Sequence, residues 1–273
     1  MFNHHGSSGC AEMSPVKPAQ PIISLDDFYI RADKSDDQVV NQVAWNWDVA
    51  PGERLAVMTT NSYLRYQLIG VLSGLVPAVA GRQVRRGVIG WPLGGEGGLD
   101  SKLKIIQNVE FVCQLYQDRL RGDRFSLESF WLLLSQQGIE PQAVQRDLNS
   151  TQKSFFFTAL SLLFDFDLYL VPKTRFVMSK PGQVLRQLFF EQAESASLVT
   201  TSSNSRFLRQ FCNRGLVLSP AGEPLFMGSL EEALLRFDQV PGQGDAEDSD
   251  ESLLQGLNLQ NSDRETDDQD DIL

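Results

Sequence analysis

Apolar positions recur along this chain with two periods, and the alternation between them lays out its elements. Leu55-Ala-Val-Met58 is a short apolar run after a Pro51-Gly52 turn, the pattern of a buried strand. Beyond it, Leu64, Leu68, Val71, Leu72 and Leu75 fall on one helical face, with Asn61 or Ser62 as cap and Gly74 as stop. Upstream, Ile22 to Leu25 begins a strand that leads to Phe28, Tyr29 and Ile30, and Asp33 to Asp37 forms a charged turn. Val39 to Val49 alternates as a strand with Val43, Trp45 and Trp47 on one side. Arg82 to Gly90 is a basic strand or hairpin arm. The segment from Trp91 to Leu103 holds four glycines between 94 and 98 and suits a surface connection; it is not a dinucleotide fingerprint.

From Lys104 the period becomes helical. Ile105, Val109, Val112 and Tyr116 share a face, a second helix covers Ser126 to Gln136, and a third covers Pro141 to Leu148. A helix running to Ser161 follows, then a strongly apolar strand from Phe164 to Val171. The remainder alternates: helix at Pro181 to Ala193, strand at Ser197 to Thr201, helix at Ser205 to Cys212, strand at Gly215 to Leu218. Pro220 to Gly222 turns the chain into Leu225 to Met227, and Ser229 with Glu232 forms a capping box before a last helix. Strands alternating with helices predict an α/β protein with a mainly parallel sheet. The β-rich stretch before residue 50 adds an antiparallel layer, and the helices from about 103 to 150 form an inserted helical subdomain.

Composition narrows the classes. With 273 residues and 42% hydrophobic content the chain can bury a full core, as one large domain or two small ones. No apolar run reaches the length of a membrane span, and the first residues lack the basic and apolar regions of a secretory signal. Cys10, Cys113 and Cys212 lie far apart without metal-ligand spacing and suit reduced cytoplasmic thiols. The histidines, His4 and His5, fall in the polar leader, which leaves the core without imidazole bases or histidine metal ligands.

The net charge of −11 is concentrated at one end. From Asp245 to Leu273 there are eleven acidic residues and one arginine, so this stretch carries −10 and the rest is close to neutral. That excludes a large basic nucleic-acid surface. Residues 1–20 read as a disordered leader, 21–240 as the folded domain, and 241–273 as a disordered acidic tail. The tail is either a solubilising extension or a partner-binding one, in which Leu253, Leu254, Leu257 and Leu259 form a short docking helix.

A strand, a tight loop and a helix at residues 53–74 stand where a nucleoside triphosphatase would place G-x-x-x-x-G-K-[ST], whose bare amides curl around phosphates. In that frame the loop runs from Thr59 to Tyr66. Thr59, Ser62 and Leu64 take glycine places beside Asn61, Arg65 replaces the lysine with a planar fork, and Tyr66 replaces the magnesium-binding hydroxyl. Side chains at Leu64 and Tyr66 crowd the space of a triphosphate. Read alone, the stretch is equally an ordinary strand-turn-helix of an α/β core.

Several strings resemble the ATP-binding subunits of ABC exporters, closest to those for capsular polysaccharide and O-antigen. They are PGERLAV before the loop, LSGLVPAVAGRQVRRGVIGWPLG after the first helix, NVEFVCQLY at 108–116, ALSLLFDFDLYLV at 159–171, and FLRQFCNRGLVLSPAGEPLFMGSLEEAL towards the end. The resemblance covers residues 22–238 and implies an ABC-ATPase-like fold of the P-loop type. It also implies that family's functional positions, and each is altered. The Q-loop glutamine falls at Asp100, the signature Ser-Gly pair at Ser150 and Thr151, the Walker B aspartate and catalytic glutamate at Pro172 and Lys173, and the switch histidine at Ser203. Lacking those carboxylates, a chain has neither magnesium anchor nor a group to polarise water.

The resemblance therefore implies a pseudo-ATPase with no catalytic or metal-binding residue and no cofactor, ATP and magnesium entering only if the altered loop still holds nucleotide. It implies an ABC permease subunit at the inner membrane as partner, pairing with itself or with another ATPase subunit, and a cytoplasmic or peripheral location. The alternatives are a soluble regulatory scaffold acting through the acidic tail and an active ATPase with atypical motifs.

Overall fold

The computed structural model describes residues 20–30, 44–120, 122 and 125–240. The expected leader, charged turn and acidic tail lie outside the described residues, as do Val39 and Val43 of the expected second strand.

The fold is built on two sheets. The smaller is antiparallel, in the order β2-β1-β4, from β1 (Ile23–Tyr29), β2 (Trp45–Val49) and β4 (Ala80–Arg85). The larger runs β5-β6-β3-β7-β8, from β3 (Arg54–Met58), β5 (Leu168–Val171), β6 (Ser197–Thr200), β7 (Arg214–Leu218) and β8 (Pro224–Ser229). Its first four strands are parallel, and β8 is antiparallel at the edge.

Both faces of the parallel sheet are covered, which explains why its strands read as unbroken apolar runs. Successive side chains go to opposite faces. Leu55 and Val57 of β3, Leu168 and Leu170 of β5, and Leu216 and Leu218 of β7 pack with the small sheet and α1 (Ser62–Ser73). Ala56, Met58, Tyr169, Val171 and Val217 pack on the other face with the remaining helices. These are α2 (Ile105–Leu115), α3 (Leu127–Gln136), α4 (Ser150–Leu162), α5 (Arg175–Met178), α6 (Gln183–Ala193), α7 (Ser205–Phe211) and α8 (Leu230–Phe237). Phe155, Phe156 and Phe157 of α4 are all buried in this second core, alongside the stacked rings of Phe207 and Phe211 at 4.5 Å.

Several expectations needed correction. Pro141 to Leu148 is not a helix: tight turns lead to a single 3-10 turn, Gln145–Asp147, whose Gln145 is buried. Its apolar spacing matches a helix, but its backbone bonds run to neighbouring segments instead, from Gln145 N–H to Leu103 O and from Arg146 N–H to Ser101 O. The strand expected from Phe164 begins only at Leu168, because Phe164 and Phe166 fold back around Trp91 as an aromatic cluster. The short helix α5 carried no readable period. Trp91 to Gly94 is not a free surface connection either. Gly90 N–H donates to Leu168 O and Leu93 N–H to Leu170 O, so this run lies along the edge of β5.

Candidate functional site

In open α/β sheets ligands meet the carboxyl ends of the parallel strands. Here those ends are Val171-Pro172-Lys173 after β5, Thr200 to Ser203 after β6, Met58 to Asn61 after β3, and Leu218 to Pro220 after β7.

The connection after β3 is short. β3 ends at Met58 and α1 starts at Ser62, so Thr59 to Asn61 are its three residues. Asn61 is the N-cap, its side-chain oxygen accepting from Leu64 N–H at 3.0 Å. Arg65 N–H donates to Asn61 O, the first regular helical bond. Leu64, Arg65 and Tyr66 therefore belong to the helix and not to an open loop. Leu64 is 0% exposed and turned into the core against the small sheet, so the expectation that it stands in the phosphate space is not met. Arg65 is buried and Tyr66 half-buried; burial, with Tyr63 nearby, pushes the Tyr66 phenol up to about 12 and keeps it neutral.

The short connection is also tied down. Thr59 Oγ1 donates to Ser219 O at 3.2 Å and accepts from Asn61 N–H, while Asn61 Nδ2 donates to Pro220 O at 2.8 Å. On the other side, Thr200 Oγ1 donates to Val171 O at 2.7 Å, and the hydroxyls of Thr174 and Ser202 meet at 2.9 Å, both buried. Ser202 N–H donates to Thr200 Oγ1 and Asn204 N–H to Ser202 Oγ. Neutral hydroxyls and one amide thus bond to one another and to main chain across the strand ends.

Pro172 and Lys173, half-buried, and Ser203 leave the ends of neighbouring strands β5 and β6. Two other sites lie on the helical part. Asp100 sits in a turn locked to α2: its N–H donates to Asn108 Oδ1, Asn108 Nδ2 donates to Asp100 O, and its carboxylate accepts from Lys102 N–H. Asn108 is itself buried and donates to Gln145 Oε1 at 2.8 Å. Ser150 and Thr151 are the exposed first residues of α4, whose capping box pairs Asn149 with Gln152; Gln152 in turn reaches the carbonyls of Gln137 and Gly138. The Asn108–Gln145 pair and the Thr174–Ser202 pair escaped sequence reasoning. The run Thr200-Thr201-Ser202-Ser203 at a strand end was the available signal for the second.

Comparison with solved structures decides the fold. The structure of an ATP-binding subunit of an ABC transporter superposes with a TM-score of 0.62 at 14% identity, over 88% of this chain and 98% of that one. The chain has the fold of an ABC ATPase. In sequence it is similar to the capsule polysaccharide export ATP-binding protein CtrD of Neisseria meningitidis serogroup B, 29% identical over 191 residues, 70% of this chain and 86% of that protein. It is likewise similar to the ATP-binding protein BexA of Haemophilus influenzae, 27% identical over 175 residues, 63% of this chain and 78% of that one. No family model matches the chain. The relatives are thus ATP-binding proteins, among them one of capsule polysaccharide export and one of polysialic acid transport in Escherichia coli. No helix among the described residues is long and apolar enough to cross a membrane.

Proposed function

We propose that the chain is a non-hydrolysing, ATP-binding-subunit-like component of a capsular polysaccharide or O-antigen export system. It acts as a structural or regulatory subunit on the exporter's permease at the cytoplasmic face of the inner membrane, paired with itself or with another ATPase subunit. One observation carries this reading: α1 begins at Ser62, with Asn61 filling the place at its N-terminus where a phosphate loop offers free amides.

Magnesium–ATP does not fit the residues present. The Asn61 amide oxygen already satisfies Leu64 N–H, and the three-residue connection is held against Ser219 and Pro220. After β5 the chain supplies Pro172 and Lys173 where a hard cation needs carboxylate oxygens. No hydrolytic step is derived through these groups. A partner-facing role suits the helical part, where Phe111 and Leu115 of α2 and Leu132 of α3 are each more than half exposed.

Calorimetric titration of the full chain with ATP, with and without magnesium, tests the nucleotide half of this reading. The expected result is no saturable heat at millimolar nucleotide. Micromolar binding, or magnesium-dependent turnover abolished by Arg65→Ala, overturns it. Purification of the tagged chain from membranes tests the other half: it is expected to bring an export permease with it, and absence from the membrane fraction counts against the assignment.

A further inference from the structure

The β7–β8 hairpin and the end of α8 enclose an apolar groove of about 330 Å³. Val217 and Pro220 form part of its lining, Leu225 and Phe226 come from β8, and Arg236 and Val240 close it from the helix side. Leu225 is 54% exposed, an uncovered large side chain on an edge strand. The Arg236 guanidinium lies over the Phe226 ring at 5.9 Å and meets no carboxylate among the described residues. The groove adjoins Pro220, whose carbonyl holds Asn61.

We propose that this groove is the docking site for residues 253–259 of the same chain, Leu-Leu-Gln-Gly-Leu-Asn-Leu. Three features select this occupant. The chain leaves the described fold at Val240, itself part of the groove wall, so the tether to this segment starts beside the site. The 12 residues from 241 to 252 span about 40 Å when extended, ample for a return, and such a tether gives an effective concentration on the order of millimolar. The segment complements the groove: four leucines match its apolar wall, and Asp248, Asp250 and Glu251 precede them to meet Arg236, the single charged residue in the lining.

The docked segment covers the exposed part of β8 and holds the acidic stretch against the molecule. A partner that takes the groove releases it.

The test places a photoreactive benzoylphenylalanine at Leu225 in the full chain and maps the adduct by mass spectrometry. An intrachain adduct within residues 250–260 is expected. Its yield falls about ten-fold in the triple variant Leu253→Asp, Leu254→Asp, Leu257→Asp, with a matching rise in amide exchange over residues 225–228. Arg236→Glu lowers the yield, whereas Arg209→Glu, on the neighbouring helix and 3.9 Å from Glu231, leaves it unchanged. An adduct between two chains, which places a second copy in the groove, overturns the proposal. So does an adduct elsewhere in the chain, no adduct, or a yield indifferent to the leucine substitutions.

Discussion

The amino ends of the parallel strands carry a buried charge, while the polar groups that bond one another at the carboxyl ends are neutral. At the amino ends, buried Glu53 accepts from Arg214 Nη1 at 2.6 Å and from Ala50 N–H at 2.8 Å, and Ser197 Oγ bridges Gly52 and Ala50. At the carboxyl ends, Thr59, Asn61, Thr174, Thr200 and Ser202 direct their polar atoms to main chain or to each other. Open α/β sheets normally meet ligand at the carboxyl ends of their strands. Here the polar side chains at both ends bond within the scaffold.

The sharpest break of that comparison is Leu64→Gly in the first turn of α1. Leu64 is wholly buried, so its removal, with glycine placed inside a helix, lowers stability by about 3 to 5 kcal/mol in urea denaturation. A loss under about 1 kcal/mol means that the carboxyl end is not a structural seam. At the amino ends Glu53→Gln weakens the charge-assisted bond to Arg214. With the Arg214 side chain 42% exposed, the loss is about 1 to 2 kcal/mol, and a double-mutant cycle with Arg214→Met isolates it. Asn61→Ala removes the cap of α1 and costs about 1 kcal/mol by thermal unfolding, with no gain in ATP binding. A gain in nucleotide affinity would show that the cap had been blocking a usable anion site.

The smallest effect is a pH dependence at the amino ends. Burial pushes the Cys212 thiol up to about 12, partly countered by Arg54. The folded state therefore holds the proton more tightly than the unfolded chain. This stabilisation is complete below the ordinary thiol range and is lost as pH rises from about 9 to about 12. At pH 9 the loss from this group is about 0.4 kcal/mol, and Cys212→Ala should flatten that part of the stability–pH curve.

Much of the framework was legible because local signals agreed with the tertiary outcome. Asn61 and Gly74 cap α1, and Ser229 with Glu232 starts α8, since a cap is satisfied within four residues of chain. Pro141 to Leu148 misled because its spacing fits a helix while its backbone partners lie at Leu103 and Ser101, far away in sequence. The strand, short connection and helix at 53–74 were legible, since each rests on short-range spacing. Where Leu64 points was not, because a one-dimensional pattern does not tell a core-facing leucine from one facing ligand.

Most of the strands and helices, the caps at Asn61, Gly74 and Ser229 and the charged tail are determined by sequence alone, since each depends on residue type and short-range spacing. Tertiary structure alone decides that Leu64 closes the core beneath the small sheet and that Trp91 lies along β5. It also joins Asn108 to Gln145 and Thr174 to Ser202. The reason is physical: a buried polar atom takes whichever partner the packed elements bring within about 3 Å, and that partner is set by the fold as a whole.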